Sequence, residues 1–238
     1  MVVRDGHPIV EEVYVDGHGP YKVLLDTGSN TNLIDEKLAQ SIGLKASFRS
    51  ELASSTGVTV VPGSKEVQVE LDSVKEERQE FLFLRLAFHD RWPDLKGVLG
   101  QEFLWKLDYV LDLRAKQLSF GKLDQSGTRI PYRLINGRMA VSTNLGALVL
   151  DSGADRLVLF GIKADPSVAG EREMNTFTGT SKIGLASSKL LTIGGRKIWQ
   201  GNAVAIPNQP EPEVDGLLPL GLFRTIYVCN SEHYVVFQ

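Results

Sequence analysis

The chain has 238 residues, 42% of them hydrophobic, and a formal net charge of −3. That length buries a sizeable core and excludes disorder as the main state, while the near-balanced charge gives neither nucleic acid nor an anionic membrane an electrostatic hold. No apolar run approaches the roughly 18 residues of a bilayer span, and the single cysteine, Cys229, excludes an intramolecular disulfide.

Along the chain, the start Met1-Val2-Val3-Arg4-Asp5-Gly6 lacks the apolar core of a secretory leader; had one been removed, the setting would be periplasmic or secreted. Short β-rich runs between turn residues follow: Glu12 to Val15, Val67 to Leu71, Phe81 to Phe88, Tyr109 to Leu113, Ala203 to Ile206 and Tyr234 to Phe237. Helical periodicity is confined to Asp35 to Ile42, where Asp35 caps the helix, Leu38 and Ile42 form its apolar face and Gly43 ends it. The mixed-charge run Lys75 to Glu80 reads as an exposed turn between strands. Gly194-Gly195 reads as a hairpin turn and not a phosphate loop, because no helix pattern follows it. Cys229 reads as a small hydrophobe of the last strands, and Trp92, Trp105 and Trp199 as packing residues. The expectation is an all-β fold.

An internal repeat of about half the chain sets the architecture. Val23-Leu24-Leu25 leads into Asp26-Thr27-Gly28, and Ala147-Leu148-Val149-Leu150 leads into Asp151-Ser152-Gly153. Turns at Asp16-Gly17 and Asn136-Gly137 precede the two motifs. Thr56-Gly57 and Thr178-Gly179 lie with their glycines 31 and 28 residues after the aspartates, each at a hairpin tip. Gly97-Val98-Leu99 and Gly216-Leu217-Leu218 begin 71 and 65 residues after them. The polar stretch Gly121 to Gly127 connects the halves, which divides the chain into residues 1–122 and 123–238.

An Asp-Thr-Gly or Asp-Ser-Gly tripeptide alone is turn composition. Here each follows an apolar strand, so each carboxylate is delivered to the interior, where a charge needs a reason to be. Two related strands meeting across a pseudo-two-fold axis bring Asp26 and Asp151 together. Apposed carboxyls cannot both ionise cheaply; one keeps its proton and the other stays charged, which gives an acid and a base for activating water. Thr27 and Ser152 have hydroxyls able to bond the opposite loop, and Gly28 and Gly153 leave space for the approach. The scattered histidines His7, His18, His89 and His233 lack the paired spacing of a zinc site and read as solvated or locally bonded; neither metal nor other cofactor is expected.

Asp26-Thr27-Gly28-Ser29, Asp151-Ser152-Gly153-Ala154, Gly97-Val98-Leu99-Gly100 and Asp108 to Asp112 together resemble the retropepsin-like aspartic peptidases, fused head to tail in one chain like a shortened pepsin. The resemblance covers nearly all of the chain. It implies two homologous closed β-barrel lobes of the acid-protease type with a cleft between them. It further implies an extended polypeptide substrate, activity as a monomer, and flaps tipped by Thr56, Gly57, Thr178 and Gly179. It also implies that the Ser29 hydroxyl bonds the Asp26 carboxylate, leaving the charge on Asp26 and the shared proton on Asp151. Departures are Pro219 in place of Gly100, no clear second copy of the Asp35 helix, and flaps without tyrosine. The rival reading is a catalytically weak or inactive peptide-binding protein on the same fold, and a third is a precursor that processes only itself.

Overall fold

The computed structural model describes residues 1–54, 57–87, 91–122, 126–161, 171–176, 179–207 and 211–238. Strands dominate. The first part of the chain contributes β1 (Val2–Arg4), β2 (His7–Val15), β3 (His18–Leu25), β4 (Asn32–Asp35), β5 (Phe48–Ser54), β6 (Gly57–Leu71), β7 (Val74–Leu84), β8 (Leu95–Leu99), β9 (Tyr109–Asp112) and β10 (Gln117–Phe120). The second contributes β11 (Ile130–Ile135), β12 (Arg138–Thr143), β13 (Gly146–Asp151), β14 (Val158–Phe160), β15 (Glu171–Thr176), β16 (Gly179–Ile193), β17 (Arg196–Ile206), β18 (Gly216–Pro219), β19 (Thr225–Cys229) and β20 (Tyr234–Phe237). Helices α1 (Glu36–Ser41) and α2 (Gln101–Leu104) are short.

The sequence explains the turns. Asp16-Gly17, Asn136-Gly137 and Gly194-Gly195 each have two positive φ angles, as the two-residue hairpins β2–β3, β11–β12 and β16–β17 require, and Asp, Asn and Gly tolerate them best. Helix α1 starts where Asp35 accepts a hydrogen bond from the Leu38 N–H at 3.1 Å, satisfying a donor the helix leaves unpaired. Gly43 follows its end at φ 80°. Whether the second half repeats this helix falls partly on residues outside those described. The run Lys75 to Glu80 is not a turn: it lies within β7, and the turn is Asp72-Ser73, with Leu71 opposite Val74. Its exposed charges Lys75, Glu77 and Arg78 are interspersed with the partly buried Glu76 and Glu80 and the buried Gln79, which a half-buried strand permits as readily as a loop does.

One sheet has the order β1-β2-β3-β8-β4-β7-β6-β5, with β2 also pairing β6, so that it folds back on itself. The other has the order β10-β9-β19-β20-β11-β12-β13-β18-β14-β17-β16-β15. The centre of each repeats one pattern. Strand β8 is parallel to β3 and antiparallel to β4, which is parallel to β7. Strand β18 is parallel to β13 and antiparallel to β14, which is parallel to β17. Strands β9 and β10 leave the first sheet and join the second through β19. A single apolar cluster runs from Val23 and Leu25 through Phe103 and Leu111 to Leu150, Leu218 and Val228, binding both parts of the chain to one core. Cys229 is buried in β19, as a small hydrophobe would be, and Trp105 is half exposed.

Candidate active site

Each aspartate stands at the end of a strand that its neighbours bury. The Asp26 N–H bonds the Leu99 carbonyl at 2.9 Å, continuing the β3–β8 ladder by one residue, and Asp151 pairs with Pro219 at the end of β13–β18. Glycine makes these neighbours fit: a Cβ on Gly97 would come within 2.5 Å of the Leu33 carbonyl oxygen, and one on Gly216 would collide with the Val158 carbonyl. Asp26 and Asp151 are 5% and 8% exposed, too little for water to solvate two charges.

The two loops are tied by an exchange of hydrogen bonds. Thr27 N–H donates to Ser152 Oγ and Ser152 N–H donates to Thr27 Oγ1, both at 3.0 Å. The hydroxyls donate onward to the strands behind the opposite aspartate: Thr27 Oγ1 to the Leu150 carbonyl at 2.8 Å and Ser152 Oγ to the Leu25 carbonyl at 2.6 Å. Glycine then permits the carboxyls to cross over. A Cβ on Gly153 would stand 2.6 Å from Asp26 Cγ, and one on Gly28 would run into the Asp151 carboxyl group. Both carboxyls are thus packed against the opposite loop, side by side.

Burial raises the pKa of both carboxyls, favouring the protonated form, and the charge of Asp26 raises that of Asp151 further. Loop N–H groups oppose this: Gly28 N–H reaches Asp26 Oδ1 at 2.9 Å, and those of Gly153 and Ala154 face Asp151. The pair therefore holds a shared proton above the usual carboxylate range and titrates as a unit. Among the described residues Asp151 Oδ1 is buried without a hydrogen-bond partner.

Ser29 does not act as its sequence context suggests. Its hydroxyl has one proton, which goes to the Thr31 carbonyl at 2.8 Å, closing its own turn. Its backbone N–H, not its side chain, faces Asp26. The asymmetry between Ser29 and Ala154 therefore gives no hydroxyl bond to Asp26. Residues that sequence reasoning passes over do support the first loop. Gln101, 2% exposed, donates from Nε2 to the Thr27 carbonyl at 2.9 Å. Asn32 accepts the Gly100 N–H at 3.0 Å and donates to Gln79 at 3.2 Å. The only hint in the sequence is that these polar side chains sit among strand apolars. In the second half Pro219 and Leu220 hold the places of Gly100 and Gln101, so this support is one-sided.

Of the expected flap residues, Thr56 and Thr178 lie outside the described residues. Gly57 and Gly179 open β6 and β16, opposite Ser54 and Thr176. His18 is exposed and bonded within its own turn, Nδ1 to the Asp16 carbonyl at 3.0 Å. His7, by contrast, is buried, its ring edge-on to Trp92. Among the described residues no group of three or more His, Cys, Asp or Glu side chains is arranged to hold a metal ion, and no helix is long and apolar enough to cross a membrane.

No curated protein matches the chain. The sequence profile of the family described as aspartyl protease matches residues 11–103, a span that holds Asp26, the Gly97-Val98-Leu99 strand and Gln101 but not Asp151. Over those residues the chain is similar to aspartyl proteases.

Proposed function

We propose that this protein is an aspartic endopeptidase that hydrolyses peptide bonds of extended polypeptides with water activated between Asp26 and Asp151. The observation that carries the reading is the reciprocal Thr27–Ser152 hydrogen bonding, which holds two buried carboxyls against each other's loops. A structural turn has no need to bury two like charges together; an acid–base pair does. The ionised carboxylate takes a proton from water as its oxygen adds to the peptide carbonyl carbon, and the protonated carboxyl gives its proton to the carbonyl oxygen. Collapse of the tetrahedral intermediate breaks the C–N bond, and a proton passes to the leaving nitrogen.

On this reading residues 1–122 and 123–238 are two related lobes of barrel type, each giving one aspartate, so that one chain forms a complete site. The β5–β6 and β15–β16 hairpins are flaps, with Thr56, Gly57, Thr178 and Gly179 at their tips. A peptide-binding protein without turnover draws its support from the one-sided loop support, since Leu220 cannot replace the Gln101 amide. Incubation of an unfolded protein substrate at mildly acidic pH, with and without a pepstatin-type inhibitor, separates the two. Cleavage that the inhibitor stops and that Asp26→Asn or Asp151→Asn abolishes is expected. Inhibitor binding without cleavage would leave the binding reading standing instead.

A further inference from the structure

Asn230 lies in the turn between β19 and β20 and is buried. Its side-chain amide is fully engaged. Nδ2 donates to the Leu104 carbonyl at 2.9 Å and to the Leu107 carbonyl at 2.6 Å, and Oδ1 accepts the Tyr132 hydroxyl at 2.6 Å. Reversing the amide would set its oxygen against two carbonyls, so these partners fix its orientation. Leu104 ends α2 and Leu107 follows it, both in the first half of the chain. A helix of one turn leaves its last carbonyls short of partners and has little stability alone. Asn230, 126 residues after Leu104, supplies what α2 lacks.

At its other end, about 5 Å away along the helix axis, α2 holds the loop of Asp26. The Gln101 N–H donates to the Ser29 carbonyl at 2.8 Å, and its Nε2 donates to the Thr27 carbonyl at 2.9 Å. The Thr27 N–H and hydroxyl are already taken up by Ser152 and Leu150, so Gln101 engages the remaining polar group of the residue next to Asp26. We propose that Asn230 is a positioning residue for the dyad: from the second half it fixes the rear of α2, and α2, through Gln101, fixes the Thr27 carbonyl. This rests on the dyad reading above. The hydrogen bonds then form a closed circuit between the halves, running from Asn230 through α2, Gln101 and Thr27 to Ser152. The Asp151 side has no such circuit. Its corresponding single helical turn, Leu220–Leu222, has no amide side chain, and the segment after it meets the first half through backbone, Leu113 N–H to the Arg224 carbonyl at 2.9 Å. Among the described residues no side chain of the first half donates to that turn.

The test uses the full chain labelled with nitrogen-15. In Asn230→Ala without substrate, the Thr27, Gly28 and Ser152 amide signals shift, and in a Gln101→Met background the same substitution adds no shift, because the link is already cut. Ser231→Ala is the control. It removes a hydroxyl bond to Asp108 of 2.7 Å in the same turn but touches no α2 carbonyl, so it lowers Tm and leaves both the loop signals and kcat where they are. In peptide cleavage at mildly acidic pH, Asn230→Ala lowers kcat about tenfold with KM within about twofold, as misplaced reacting groups cause. Gln101→Met does the same, and the double variant is no slower than the slower single one. If Asn230→Ala does not fold, Tyr132→Phe, which frees the amide to turn, gives the same signal shifts in smaller measure. Loop signals that stay in place in these variants, or kcat losses that multiply in the double variant, would overturn the proposal. A wild-type protein that cleaves nothing would sink the peptidase reading and leave the amide signals to decide the role of Asn230.

Discussion

Thr27 and Ser152, 125 residues apart, exchange hydrogen bonds with each other's backbone at the same 3.0 Å separation. Each hydroxyl both accepts from the opposite loop and donates to the strand behind it, so removing one leaves two buried groups unmet. Thr27→Val should cost about 2–4 kcal/mol of stability in urea unfolding, since the Ser152 N–H and the Leu150 carbonyl both lose a partner. Combined with Ser152→Ala, the total should fall short of the sum by about 1 kcal/mol, the signature of a shared element. Strict additivity would mean that the loops are held by their strands and not by the exchange.

The buried dyad makes stability depend on pH with a definite sign. Folded Asp26 and Asp151 hold protons more tightly than unfolded carboxyls do. The stabilisation this gives is complete below the unfolded value near about pH 3.9 and is lost as pH rises through the raised folded values. Asp151→Asn removes the conflict of two buried charges, so at pH 7 it should exceed wild type by about 2 kcal/mol, or roughly 4–8 °C in Tm. The advantage should vanish towards about pH 4. Thermal melts across this range check it; a variant less stable than wild type at pH 7 would count against an ionised dyad.

Ser29 gives the opposite kind of prediction. Because its hydroxyl is committed to the Thr31 carbonyl, Ser29→Ala should cost about 1 kcal/mol of stability. The acidic limb of the pH profile of kcat/KM should stay where it is. A limb raised by half a unit or more would mean that the hydroxyl turns to Asp26 when substrate is bound.

Gly28 and Gly153 are needed for approach and not for conformational freedom, since neither has a positive φ. Gly153→Ala places a methyl group where the Asp26 carboxyl lies, forcing the two carboxyls apart. Turnover should drop by at least about a hundredfold, as misplaced reacting groups cause, while the circular dichroism spectrum stays that of the folded β protein. Near wild-type turnover would show that the carboxyls need not be adjacent.

Turns and motifs were readable because their causes are local. Asp16-Gly17 and Asn136-Gly137 announce a hairpin by their tolerance of positive φ, and Asp35 announces a helix start by the reach of its own carboxylate. The Asp-Thr-Gly and Asp-Ser-Gly motifs were readable because each follows a buried strand. Lys75 to Glu80 was misread because charge indicates exposure, and the exposed positions of a half-buried strand satisfy charge as well as a turn does. Gln101 was missed for a different reason. Its partner Thr27 lies 74 residues away, and no local pattern encodes a side chain buried by distant backbone.

Strand β9, which closes the first half, lies between β10 and β19, with Val110 opposite Tyr227 and Leu111 opposite Ile226. Cut the chain between the halves and β9 becomes a naked, apolar edge whose natural complement is any strand of similar pattern, including β9 of a second copy. A lone first half would then tend to pair with itself and bring two Asp26 side chains together, whereas covalent linkage supplies β19 at high local concentration and makes the mismatched pairing the slower one. The seam that joins the halves thus also decides which partner each half meets.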